Sequence, residues 1–228
     1  MFLFYDSTYI LVIIGAVLSM IASANVRSVI ERYRKVQSYS GLTAAEAAKR
    51  ILNENGIFDV AVRQISGAPS DYYSPAKKEV CLLAENYNSP SIASIGIAAH
   101  ECGHAIQDAE GYVPLVVQRH IAPACSIGSS AGIYIVIAGL IFSWEPLINI
   151  GVILFALGVF LTILLLPIEY NASNRALRIL EGHHIMEGEE LAGAKKVLRA
   201  AGLTYVAAAA ASILSLLRLL LIANRRRR

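Results

Sequence analysis

Apolar and polar positions along this chain separate into long blocks. Four apolar blocks, at 9–24, 123–142, 147–167 and 203–223, read as membrane-spanning helices. The first follows Met1-Phe2-Leu3-Phe4-Tyr5 and has the look of a signal peptide, but it lacks a basic start and runs too long for one. Ser143-Trp144-Glu145-Pro146 joins the second and third, which is room only for a tight helical hairpin with Trp144 at the interface.

The polar stretches carry shorter periods. Thr43 and Glu46 fit a capping box at the head of a helix that Asn55-Gly56 stops. Residues 58–65 alternate as a strand, and 79–83 read as its partner across the turn-rich segment 67–78. The apolar run 91–99 predicts a helix continuing into His100, with Ser89 as N-cap and Pro90 in the first helical position. The expected divisions are a first transmembrane helix at 1–24, a polar block at 25–120, a transmembrane hairpin at 121–168, a second polar block at 169–202, and a fourth transmembrane or re-entrant helix with a basic tail at 203–228. The fold class is a mainly α membrane protein, about four transmembrane helices plus a membrane-associated α+β domain with a small strand pair.

Composition agrees. Hydrophobic residues make up 56% and charged ones 16%, with mean hydropathy +0.54, too apolar for an ordinary soluble domain. Arg218 lies inside the fourth span, where an arginine is costly unless it snorkels, pairs or lines a polar cavity. The three cysteines, Cys81, Cys102 and Cys125, form no disulfide framework and lean towards a reduced compartment.

The chemistry sits in His100-Glu101-Cys102-Gly103-His104, which reads H-E-x-x-H. Residues four apart on a helix share one face, so both imidazoles can reach one metal ion. Glu101 borders the same site as the base that takes a proton from the attacking water. Cys102 faces away, and Gly103 leaves room for another segment to pack closely. Catalytic zinc usually takes three protein ligands. The metzincin extension would need glycine at Gln107 and histidine at Glu110, so the third ligand comes from further on. Glu169, at the end of the third span, is the first choice. His120 ranks second, and His183 and His184, after Gly182, fit a solvated helix-ending loop better.

These residues resemble a known family, the bacterial membrane-embedded neutral zinc metallopeptidases. The resemblance rests on His100-Glu101-Cys102-Gly103-His104-Ala105-Ile106-Gln107 and on Pro167-Ile168-Glu169-Tyr170-Asn171-Ala172-Ser173-Asn174-Arg175-Ala176-Leu177, with further similarity at Ser40-Gly41-Leu42-Thr43, Tyr87-Asn88 and Leu203-Thr204-Tyr205-Val206-Ala207-Ala208-Ala209. It implies a gluzincin-like site with His100, His104 and Glu169 on one Zn2+ per chain, in a zincin-like catalytic domain whose catalytic blocks are 25–120, with the zinc helix, and 169–202, with the third ligand. The chain departs from the family at Asn171, where an acidic residue is commoner, and at Tyr72, where histidine is.

The expected activity is that of a zinc-dependent metalloendopeptidase, with Glu101 as catalytic base and Arg175, Tyr170, His183 or His184 as candidates to hold the oxyanion. Arg175 reads equally well as an ion-paired surface residue. One of the two predicted strands borders a peptide cleft, or else they form a hairpin that merely covers the helix. The expected partners are peptide or protein substrates at the membrane and the lipid bilayer, with no nucleic acid. Ten basic residues flank the membrane on the side of the catalytic blocks (Arg27, Arg32, Arg34, Lys35, Arg119, Arg175, Arg178, Lys195, Lys196 and Arg199), against the four of the tail 225–228. That balance puts a multi-pass protein in the cell membrane with its site on the cytoplasmic side. The alternative is a non-enzymatic membrane adaptor or lipid-binding protein with a structural metal site. A metal transporter fits poorly, since the spans hold almost no ionisable ligands.

Overall fold

The computed structural model describes residues 7–225; the apolar start at 1–5 and the arginines of the tail beyond 225 lie outside them. Helix α1 (Tyr9–Arg34) is followed by α2 (Ala44–Glu54), strands β1 (Ala61–Ile65), β2 (Tyr72–Ser74) and β3 (Glu79–Leu83), and the short α3 (Ala84–Tyr87). Then come α4 (Ile92–Ala109), α5 (Val113–Ile141), α6 (Glu145–Gly182) and α7 (Gly188–Arg225). Helices α1, α5, α6 and α7 are each long and apolar enough to cross a membrane, so this is a mainly α membrane protein. The chain separates into two compact units.

The first unit comprises Val117–Pro167 together with the described residues up to Ser23 and from Leu203. Its outer positions are apolar, among them Ile10, Met20, Ile21, Ile133, Ile153 and Leu220, as expected of surfaces solvated by lipid. Its buried centre is Val136, Leu140, Ile148, Val152, Leu219 and Ala223. Helices α5 and α6 meet backbone to backbone: a Cβ on Gly132 would stand 2.7 Å from Phe155 N and 2.8 Å from Gly151 O. Small residues allow such approach where lipid gives helices no hydrophobic reason to associate. The fourth apolar segment is one unbroken helix in α7, with no re-entrant turn. The Arg218 guanidinium lies 5.2 Å from the centre of the Tyr9 ring, a cation–π partner for its charge.

The second unit comprises Ala24–Val116 and Ile168–Gly202. Thr43 caps α2 as expected, its side chain accepting from Glu46 N while the Glu46 carboxylate accepts from Thr43 N. The alanine face of α2 (Ala44, Ala45, Ala47, Ala48), with Ile51 and Leu52, packs on Ile92, Ile95, Ala98, Cys102 and Ala105 of α4. Helix α4 starts later than the sequence suggests. Ser91, not Ser89, is the N-cap, its hydroxyl accepting from Ser94 N at 3.2 Å. The reason is that Ser91 bridges Gln37 and Ile92 N donates to Val36 O, which holds the chain extended through Pro90.

The two predicted strands pair, but not as a hairpin. β1 runs parallel to β3, from Ala61 opposite Glu79 to Ile65 opposite Leu83. The connecting segment contributes β2, antiparallel on the other side of β3, so the order is β1-β3-β2. β3 is therefore paired along both edges, and β1 and β2 are the outer strands. Asp71, just before β2, fixes this turn of the chain: its carboxylate accepts from Leu83 N and from Asn86 Nδ2, both at 2.7 Å. Asn86 Oδ1 in turn accepts from Ser94 Oγ in the first turn of α4. Burial nevertheless pushes the Asp71 carboxyl above its ordinary value.

Candidate metal centre

All the residues of the candidate site belong to the second unit. Gly103 of α4 lies against α6 so closely that a Cβ there would be 2.6 Å from Ala172 O. That contact sits three residues after His100, one before His104 and three after Glu169, so it brings the three side chains to one place. His100 Nε2 is 3.1 Å from Glu169 Oε2, and His104 Nε2 is 3.7 Å from the same oxygen. The imidazoles meet edge to face with ring centres 4.7 Å apart. One donor atom from each of the three residues lies within 4.8 Å of the other two.

This donor set fits zinc. Two imidazole nitrogens and one carboxylate oxygen, with a fourth position for water, is a catalytic zinc pattern, and tetrahedral bonds of about 2.0–2.2 Å put donors about 3.3–3.6 Å apart. The ring nitrogens facing away are held too. His100 Nδ1 is 3.1 Å from Ser173 Oγ, and His104 Nδ1 is 2.9 Å from Gln107 Oε1. Such outer partners orient imidazole ligands.

The electrostatics suit a cation. Burial alone would lower the pKa of His104, but the carboxylates of Glu169 and Glu101 beside it win and raise it to about 9. Glu101 is 8% exposed, and burial pushes its carboxyl up against the opposing pull of the two histidines. Cys102 is buried on the opposite face with its thiol towards Ala48 O.

The remaining sequence candidates fall elsewhere. His183 sits in the turn after α6 with Nδ1 2.8 Å from Glu54, and His184 pairs with Glu187. His120 lies on α5 in the other unit, exposed. Arg175 is ion-paired to Glu110 at 2.7 Å and donates from Nε to Asn171 Oδ1 at 2.7 Å. Tyr170, 42% exposed, projects beside Gly202. Gln107 and Ser173 are site residues for which sequence reasoning proposed no part. The available signal was their spacing, each on the ligand-bearing face of its helix, three after His104 and four after Glu169.

Four bilayer-length helices and an H-E-x-x-H helix that faces a downstream glutamate are the features of a class, the membrane metallopeptidases. The family model described as "Putative neutral zinc metallopeptidase" matches residues 8–224, and the chain belongs to that family. It is similar to "Putative membrane protease YugP" of Bacillus subtilis (strain 168), 41% identical over 205 residues that cover 90% of this chain and 91% of that protein. No solved structure matches it.

Proposed function

We propose that this membrane metallopeptidase is a zinc-dependent endopeptidase cleaving peptide bonds of membrane-associated chains, with one Zn2+ held by His100, His104 and Glu169. The observation that carries the reading is the convergence of the three donor atoms within 4.8 Å, with the Glu101 carboxyl buried next to them. Bound there, zinc supplies Lewis acidity to a carbonyl and acidifies water.

The chain supplies the rest. Glu101 is not one of the donor set, so its carboxylate is free to accept the proton of the attacking water and pass it to the leaving amine. Its burial raises its basicity, which suits that task. For the developing oxyanion, Tyr170 is the more open candidate, while Arg175, His183 and His184 are each engaged by a carboxylate. Glu169 follows the apolar stretch 147–167 by two residues in the sequence, which supports work at the membrane surface on unfolded or orphaned membrane proteins. The basic residues flanking the spans support the cytoplasmic side for that work.

The test is to compare wild type and Glu101→Gln in liposomes on one peptide, either tethered to the bilayer or free. The variant should keep its zinc and lose about 10²–10⁴-fold in turnover. Wild type should prefer the tethered form, because tethering raises effective concentration. Near-normal turnover by Glu101→Gln would sink the mechanism, and equal rates on both substrates would remove the membrane-surface role.

A further inference from the structure

We infer that Gln107, which belongs to neither the ligand set nor the base, is a positioning residue of the metal centre: its amide admits one orientation only, and that orientation makes Nε2 the ligand atom of His104. This rests on the zinc reading above and adds the group that selects the coordinating nitrogen.

Gln107 is fully buried, at 0% exposure. Its Nε2 has two hydrogens, and both are assigned. One goes to Ile168 O at 2.9 Å, a carbonyl that can only accept. The other goes to Asn171 Oδ1 at 2.9 Å. Asn171 cannot present its nitrogen there instead, because Arg175 Nε donates to the same oxygen at 2.7 Å and a guanidinium has no acceptor. Arg175 is itself held by Glu110, the residue that ends α4. Turning the Gln107 amide over would set its oxygen against two acceptors. Gln107 Oε1 therefore faces His104 Nδ1 at 2.9 Å, and an oxygen there can only accept, so Nδ1 carries the hydrogen. In the neutral ring the lone pair then sits on Nε2, the atom turned towards Glu169.

The second effect is mechanical. Ile168 immediately precedes Glu169, so one amide ties the second histidine of α4 to the backbone beside the third ligand on α6. His100 has no equivalent device. Its Nδ1 meets Ser173 Oγ, a hydroxyl that can donate or accept.

The experiment uses full-length protein in detergent, stripped with a chelator, as wild type, Gln107→Leu and Gln107→Glu. Zn2+ affinity is read by competition with a chromophoric chelator, and site geometry by the visible absorption of bound Co2+. Gln107→Leu should weaken zinc about 10–100-fold and change the Co2+ bands. Gln107→Glu, protonated on the oxygen that faces Ile168 O, keeps an acceptor opposite Nδ1 and one of the two donors, and should recover part of that affinity, which a mere space-filling role would not do. The proposal is overturned if Gln107→Leu binds like wild type, or if both variants weaken alike. Should Gln107→Leu fail to fold, Gln107→Glu decides alone: wild-type Co2+ bands support the proposal, and loss of tetrahedral bands overturns it. Wild type that takes up neither ion overturns the zinc reading and this one with it.

Discussion

At Gly103 the motif helix α4 meets Ala172 of α6, and at Gly132 helix α5 meets Gly151 of the same α6. An added Cβ would come to 2.6 Å from a carbonyl oxygen in the first case and 2.8 Å in the second. The steric problem is the same, but the surroundings differ. Around Gly103 stand His100, His104, Glu169 and Gln107, so the crossing sets distances between donors. Around Gly132 stand Phe155, Leu154 and Val136, so the crossing only packs. Close approach is thus a general device, and the polar residues flanking it decide whether it makes a site.

The largest effect should come from removing a donor while leaving the Gly103 crossing intact. Glu169→Ala should purify without zinc, whereas the double variant His183→Ala/His184→Ala should keep one ion per chain. Metal analysis of the two checks this, and full occupancy in Glu169→Ala would refute the ligand set. Next in size is Gly103→Ala, which keeps every donor and moves them apart. We expect zinc affinity to fall about 100-fold or more, since a backbone oxygen cannot yield as a side chain can. Chelator competition measures it, and unchanged affinity would show that the crossing does not set donor spacing.

A smaller and graded effect concerns pH. The carboxylates of Glu169 and Glu101 hold the pKa of His104 at about 9, above the ordinary 6.5, which favours a proton on the ring. Zinc must displace that proton, so its affinity should fall about tenfold for each pH unit below 9. For the metal-free fold the sign is opposite. A histidine raised on folding contributes stability fully present below pH 6.5 and lost as pH rises through 9. Thermal melts of stripped and zinc-loaded protein between pH 6 and 10 should therefore diverge; parallel curves would contradict the arrangement. The smallest effect is Gly132→Ala, which should cost about 1–3 kcal/mol of stability while zinc affinity stays as in wild type.

The spans were legible because hydropathy is a property of composition over a window, and lipid-facing surfaces leave it uncompensated. The histidine pair was legible because a helix converts a spacing of four into a shared face. Glu169 could be named from its place at the end of an apolar run. The sheet was only half legible. Tyr72-Tyr73-Ser74 is too short to stand out as a strand, and a parallel pair joined by about a dozen residues lies at the short limit for a crossover. A hairpin was the natural reading of 58–65 and 79–83, and Asp71, which binds Leu83 and Asn86, is what makes the other topology hold. The cap of α4 slipped from Ser89 to Ser91 for a similar reason, because the bridge to Gln37 is made by residues distant in sequence.

All three thiols are buried: Cys102 at 0%, Cys81 at 2% and Cys125 at 8% exposure, with Cys102 also pushed to high pKa by burial. A folded molecule therefore offers no native thiolate to an aqueous maleimide. Single cysteines introduced at exposed positions such as Tyr39, Phe58 or Trp144 can then be labelled on the native background, with no need to delete the natural ones. Slow modification of the unaltered protein becomes a clock for its opening. Because two of the thiols lie in one compact unit and the third in the other, the order in which they react tells which unit opens first.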